Sequence, residues 1–184
     1  MPKKKAPPYH VCYTPVDSQL LGRIWIAARR GGIFLLDFSE TESHFMEALT
    51  HTLKKIKGKP EIRLDPTDMT VYLDALLAYF DESTPIPDDL PILIDTLTGL
   101  QREVLSLVQR IPMGTVSTYG ELARQLENEN ASRAVGQVLA ANPLPVIIPC
   151  HRVVRSDGSV GGYGGILGSE RKIALLKHEG VILA

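Results

Sequence analysis

The chain has little cysteine: Cys12 and Cys150 are the only two in 184 residues. Two thiols make no disulfide framework of the kind that staples small secreted folds, so an apolar core has to hold the structure. A structural zinc would need further ligands at suitable spacing, and beyond Cys12 only scattered histidines remain to supply them, so no metal is expected. Long hydrophobic runs are missing too. None approaches a membrane span, and no membrane partner is expected. No apolar region follows "MPKKKAPPYH", which leaves a terminal tail rather than a signal peptide. A cytoplasmic setting (nuclear in a eukaryote) is expected, where a free thiol stays reduced and available. Net charge is also nearly missing, at −1, so any binding to nucleic acid has to come from local patches. There is no internal repeat or low-complexity tract. What is present is ordinary for a folded chain, 44% apolar and 22% charged, and its length suits one large domain or two small ones.

The organisation is α/β. "GRIWIAARRGGIFLLDF" reads as a β-hairpin around Arg-Arg-Gly-Gly. Phe45, Leu49 and Leu53 recur every fourth residue and predict a helix. Leu73, Leu76, Leu77 and Phe80 predict another. "DESTPIPDDLP" then has three prolines, four acids and no periodicity, and it marks a linker at about 81–91. The chain is therefore expected to divide into an α/β domain over 1–90 and a mostly helical domain over 91–184. In the second half Leu100, Val104, Leu107 and Val108 share a helical face. Thr98 with Gln101 forms a capping box at its start, and Pro112 stops it. Thr118 with Glu121 forms a second box and opens a short helix. "ASRAVGQVLAAN" follows with Val135, Val138 and Leu139 on one face. Two short helices across a tight polar connection predict a helix-turn-helix, although a hairpin that merely packs a core is the commoner use of such a pair. A strand "PVIIPC", an Asp157-Gly158 turn, "GGYGG" and a last helix between Ser169 and Gly180 complete the reading.

Three features favour nucleic acid at the helix pair. From residue 131 to 155 there are three arginines (Arg133, Arg152, Arg155) and no acid, a local +3. Arg133 stands near a helix N-terminus, where the macrodipole and free N–H groups already favour anions. Beside it lie small residues, Ala134, Gly136, Ala140 and Ala141, although Gln137 interrupts them. Gly136 costs a helix about 1 kcal/mol relative to alanine, tolerable where a backbone comes close to a partner. A small-residue face suits the minor groove, which carries little sequence information, so recognition of shape is expected.

"VIIPCHRVV" carries the chemistry. Cys150 has three readings: an inert core cysteine, a zinc ligand, or a nucleophile. The third needs a thiolate near neutral pH, against a reference pKa of about 8.5. Burial alone pushes that value the wrong way, and a histidine that takes the proton corrects it. His151 is adjacent, but neighbours on a strand point to opposite faces. Either the chain turns at Pro149-Cys150 or the proton passes through a water. The carboxylate that would orient the histidine is not local; Asp157 belongs to a turn and Glu179 ends the last helix.

The stretches "LQREVLSLVQRIPMGTVSTYGELA", "SRAVGQVLAANPLPVIIPCHRVV", "SDGSVGGYGG" and "LLKHEG" closely resemble the DNA-repair proteins that remove alkyl groups from the O6 oxygen of guanine. These are the methylated-DNA–protein-cysteine methyltransferases. The likeness covers nearly all of the second half, and Pro-Cys-His-Arg-Val with Arg-Ala-Val-Gly and Asn-Pro upstream is highly specific. The first half is similar to the family's variable N-terminal domain, with a ribonuclease-H-like arrangement. The resemblance implies a role for each matching position. Cys150 accepts the alkyl group, His151 deprotonates it through a water, and Glu179 holds His151. Tyr119 assists departure of the guanine oxygen, and Asn142 ties the helix pair to the active-site loop. Arg133 enters the base stack, with Thr118, Tyr119, Ala134 and Gly136 along the DNA. Val153 lies beside the base through its carbonyl, and Tyr163 walls the pocket. Tyr163 meets Gly164-Gly165 directly, one residue fewer than in many members, so a serine contact to the guanine oxygen is expected to be absent or supplied otherwise.

The implied partner is double-stranded DNA carrying alkylated guanine, met by a monomer with no cofactor, since the substrate brings its own activated methyl. Nucleotide flipping from the minor groove precedes an irreversible transfer. Three rivals stand beside this reading. A non-catalytic binder of alkylated guanine would lack the cysteine. A thiol hydrolase leaves Arg133 and the helix pair unexplained. A transcription regulator would prefer particular undamaged sequences.

Overall fold

A computed structural model describes residues 8–163, 166, 167 and 169–182. The chain forms two compact units, Met1–Thr96 and Leu97–Ala184. The boundary falls after the acidic, proline-rich stretch rather than within it. The reason is that residues 91–95 return to the N-terminal sheet. Ile33 N–H donates to Pro91 O at 3.0 Å, Leu93 N–H donates to Ile33 O at 2.7 Å, and Arg29 pairs with Asp95 at 2.6 Å. Among the described residues no helix is long and apolar enough to cross a membrane.

The N-terminal unit is a four-stranded sheet with two helices. β1 (Tyr9–Ser18), β2 (Gly22–Arg29) and β3 (Gly32–Asp37) run antiparallel in sequence. β4 (Pro60–Leu64) then pairs parallel to β1, giving the order β3-β2-β1-β4. A parallel neighbour needs a crossover, and α1 (Glu42–Leu53) supplies it. The Thr41 hydroxyl caps α1 by accepting from His44 N–H at 3.4 Å. Phe45, Leu49 and Leu53 are buried as their spacing requires, against Val11, Tyr13, Trp25 and Phe34. Phe45 stacks on Trp25 with ring centroids 5.4 Å apart. Each such side chain contributes about 1.5–3 kcal/mol by leaving water.

The face of α2 (Thr70–Glu82) is turned from the expected one: Tyr72, Ala75, Leu76, Tyr79 and Phe80 are buried, while Leu77 is 39% exposed. Two tyrosines present large apolar rings, so the stripe rotates toward them.

The C-terminal unit starts with α3 (Gly99–Gln109), capped by the Thr98–Gln101 box. Its buried residues are Val104, Leu105 and Val108, whereas Leu100 is 47% exposed. β5 (Ser117–Thr118) leads straight into α4 (Tyr119–Gln125), and Thr118 with Glu121 forms the second box, with N···O distances of 3.1 and 2.7 Å. A polar connection with a 3-10 turn at Glu129–Ala131 joins α4 to α5 (Ser132–Ala140), which buries Val135, Val138 and Leu139. This is the expected pair of helices.

The expected strand at "PVIIPC" does not form. Pro145 and Pro149 lack the N–H that a ladder needs, and the segment folds on itself, Ile148 N–H donating to Leu144 O at 2.7 Å. Val146 takes φ 75°, a left-handed value unusual for a β-branched residue. Such strain costs on the order of 1–3 kcal/mol. Burial of the Val146 side chain, 1% exposed, returns a similar amount.

β6 (Val153–Val154) pairs parallel with β5, and β7 (Gly162–Tyr163) pairs with β8 (Ile166–Leu167). Gly164 and Gly165, the paired glycines of the shortened loop, lie outside the described residues. α6 (Glu170–His178) ends at Gly180 with φ 77°, where Val181 N–H donates to Leu176 O at 2.9 Å. Ser169 stands at the N-cap, but its side chain makes no capping bond.

Candidate active site

The chain does turn at Pro149-Cys150. Cys150–Arg152 is a single 3-10 turn, so thiol, imidazole and guanidinium leave consecutive residues in different directions while all three stay buried. Asn142, just past the end of α5, holds the turn from the other side. Its amide donates to Ile148 O at 2.8 Å and to Cys150 Sγ at 3.1 Å, and its carbonyl accepts from Leu144 N–H at 3.0 Å. Asn142 therefore ties helix, strained loop and sulfur together. Burial pushes the Cys150 thiol up; the Asn142 donor and the Lys172 charge pull it back.

His151 is completely buried, and its Nε2 lies 2.8 Å from Glu179 Oε1. Burial pushes the imidazole pKa down, while the Glu179 carboxylate raises it. The ring's Nδ1 has no hydrogen-bond partner among the described residues. Glu179 does more than orient one histidine. It also accepts from Arg152 Nε and Nη2, both at 2.8 Å, and from Gly114 N–H at 3.3 Å, while Arg152 Nη1 donates to Ile111 O at 2.6 Å. Arg152 is thus no part of a DNA-facing strip. Its charge is neutralised inside the unit, and of the three arginines only Arg133 and Arg155 are exposed.

Tyr119 opens α4 beside β6 because Ser117 and Thr118 pair with Val153 and Val154. Its hydroxyl lies over Gly161, where a Cβ would come within 3.2 Å of it. Gly161 also has φ 72°, a left-handed value that favours glycine, and a side chain there would have to displace the Tyr119 hydroxyl. Burial raises the Tyr119 pKa, the Cys150 charge raises it further, and Arg155 lowers it. A Cβ added at Gly136 would lie 3.8 Å from the Tyr119 ring, in ordinary contact, so sterics against the ring do not require glycine there. Arg133 stands exposed in the first turn of α5, with half-buried Ala134 beside it. Tyr163 is buried and meets the His151 ring edge-on at 6.4 Å. Val153 is fully buried.

Lys172 escaped the sequence reading. It is fully buried, donates to the carbonyls of Val153 and Gly162, and lies 5.8 Å from the Tyr119 ring centroid. Its spacing held a signal, since Lys172 shares a helical face with buried Leu175 and Leu176. Desolvation pulls its pKa from 10.5 to about 8, opposed by the Cys150 charge. Between those values the unfolded chain keeps a proton that the folded one has lost, so this group adds stability as pH rises through the window. The raised Cys150 thiol works the other way, because the folded state holds its proton longer. Lys172→Met removes the first effect and, by taking away a charge that lowers the thiol, strengthens the second, so both changes act in the same direction on the difference. The unfolding free energy of wild type minus that of Lys172→Met, followed by urea titration, is expected to climb across that window. A flat difference would contradict the assignment.

Among the described residues, donors able to share a metal ion cluster at Cys12, Asp65 and Asp68 in the N-terminal unit. The Cys12 thiol there is bonded to Asp68 at 3.6 Å and raised by burial, and the Asp65 carboxylate caps the N–H groups of Thr67 and Asp68.

Known proteins resemble this chain in sequence and in fold. The family described as 6-O-methylguanine DNA methyltransferase, DNA binding domain, matches residues 99–181. The methylated-DNA–protein-cysteine methyltransferase of Salmonella typhimurium is 41% identical over 168 residues, covering 89% of this chain and 92% of its own. The rat protein of the same name is 34% identical over 176 residues, covering 92% and 82%. The crystal structure of Mycobacterium tuberculosis O6-methylguanine methyltransferase superposes with a TM-score of 0.71 at 32% identity, covering 92% of each chain. A crystal structure of Mycobacterium tuberculosis OGT in complex with DNA gives the same TM-score at 30% identity, covering 91% of this chain and 92% of its own. With relatives matched along almost their whole length, the chain belongs to the methylated-DNA–protein-cysteine methyltransferase family.

Proposed function

We propose that this protein repairs DNA by direct reversal, moving a methyl or other alkyl group from the O6 oxygen of guanine to its own Cys150. The observation that carries the reading is the Asn142–Cys150 bond beside the His151–Glu179 pair, in a unit that also presents Arg133 on a helix-turn-helix. The target carbon is part of a stacked base, out of a cysteine's reach inside a duplex. The nucleotide has to rotate out, at a cost of a few kcal/mol that a damaged pair lessens. Arg133 occupies the space the base leaves, while α5 rests in the minor groove.

Glu179 keeps the Nε2 proton on His151, which leaves Nδ1 as the basic nitrogen. That nitrogen accepts the thiol proton through a water, and the sulfur displaces guanine from the alkyl carbon in line. The C–O bond breaks as the S–C bond forms, and the electron pair leaves with guanine. Tyr119 donates a hydrogen bond that quenches the developing charge. The product thioether offers water no carbonyl to attack, so each chain acts once. Val153 and Tyr163 bound the base pocket; the Val153 carbonyl accepts from Lys172 and keeps a second lone pair for the base.

The N-terminal unit is read as ribonuclease-H-like, supported by the strand order β3-β2-β1-β4 with β4 parallel to β1. A monomer in a reducing cytoplasm is the setting a reactive thiol needs. Duplex DNA carrying radiolabelled O6-methylguanine tests the function. One methyl is expected on the Cys150 peptide by mass spectrometry, with no second turnover. Cys150→Ser should accept none and still bind DNA. Label that stays on DNA, or a protein that cycles, would overturn the reading.

A further inference from the structure

We infer that the segment from Lys54 to Lys59 is a second phosphate-binding surface for duplex DNA, carried by the N-terminal unit. This rests on the reading that duplex DNA is the substrate. Residues 54–63 hold five cations and one acid, a net +4 in a chain whose total is −1, so the remainder carries −5. Lys54, Lys55, Lys57 and Lys59 are all exposed. The ion pairs of this unit are His10–Glu61, Arg23–Asp17 and Arg29–Asp95, so none of the four lysines has a carboxylate partner among the described residues. The one acid nearby, Glu61, is directed at His10, 3.1 Å away.

A helix C-terminus attracts cations, and that accounts for Lys54 and Lys55 at the end of α1. It does not account for Lys57 and Lys59. They lie beyond the helix on either side of Gly58, whose φ of 116° turns the chain toward β4. The segment is also pinned in place. Leu53 and Ile56 pack on the core, Ile56 N–H donates to Leu53 O at 3.0 Å, and Lys59 O accepts from Tyr9 N–H at 3.2 Å. Four like charges are thus held on a fixed turn, where each repels the others. A polyanion relieves that repulsion and releases its counterions on binding. No aromatic residue stands among the lysines to stack on a base, so the surface fits the phosphate backbone and carries no sequence preference.

The test uses the full chain with all four lysines changed to glutamine, and with only Lys57→Gln and Lys59→Gln as a second variant outside the helix. Affinity for a long undamaged duplex is measured as a function of salt. Each phosphate contact contributes about 0.9 to the slope of log K against log salt. The four-fold variant is expected to lose about two to four units of slope and at least ~10-fold in affinity at low salt, and the pair roughly half of that slope. Arginine at the four positions should restore both. Transfer from the free O6-methylguanine base should not change, which separates this surface from the chemistry at Cys150. An unaltered slope in both glutamine variants overturns the inference. So does an unaltered slope combined with lost binding to vesicles of anionic phospholipid, which would assign the lysines to a membrane surface. Failure of wild type to take up methyl would sink the repair reading instead and leave the slopes readable.

Discussion

Glu179→Gln is expected to lower the melting transition of the C-terminal unit by at least ~10 °C and to cut methyl transfer by roughly 10²–10⁴-fold. The carboxylate accepts from His151, twice from Arg152 and from Gly114 N–H, all with its side chain out of solvent. Glutamine keeps the shape but has one acceptor oxygen and no charge. Arg152 is then a buried cation without a counter-charge, a change that costs on the order of 3–5 kcal/mol. His151 loses the charge that supports its protonated form, so the proton from Cys150 has a poorer destination. Calorimetry reads the first effect, and single-turnover transfer at low temperature, on protein still folded, reads the second. A variant that melts with wild type and transfers at the wild-type rate would show that this network neither holds the turn nor serves the sulfur.

Arg133→Ala should leave the melting temperature unchanged, because the side chain is exposed and forms no ion pair among the described residues. Transfer from a methylated duplex is expected to fall by about 10²-fold, the rate equivalent of the few kcal/mol needed to hold a base outside the stack. Transfer from the free methylated base, which needs no extrusion, should stay at the wild-type rate. Equal losses on both substrates would place Arg133 in the chemistry rather than in opening the helix.

How much of this was legible beforehand depended on the distance between cause and effect. The capping boxes at Thr98 and Thr118 were readable because both partners lie within four residues, as was the α1 face through Phe45, Leu49 and Leu53. His151 stood out by its place beside Cys150, whereas Asn142, and the choice of Glu179 over Asp157, came only through resemblance. No spacing rule brings the end of α6 to a turn 28 residues earlier. Arg152 was misplaced for the same reason: a local charge count registers an arginine without knowing which carboxylate reaches it. The apolar run at Val146 looked like a strand, yet its two prolines cannot donate to a ladder, and the chain folds back there instead. Lys172 went unread because a lysine ordinarily points outward, although its register with Leu175 and Leu176 placed it inward.

β4 is an outer strand of the N-terminal sheet, and it opens on Pro60 with Glu61 and Arg63 exposed. Proline offers no amide to an incoming strand, and alternating charges discourage a second chain from docking there. A repair agent spent one molecule per lesion has to be stockpiled ahead of damage, and a reserve is useful only while it stays unclumped. That blunted margin lets idle copies wait at high concentration without templating one another.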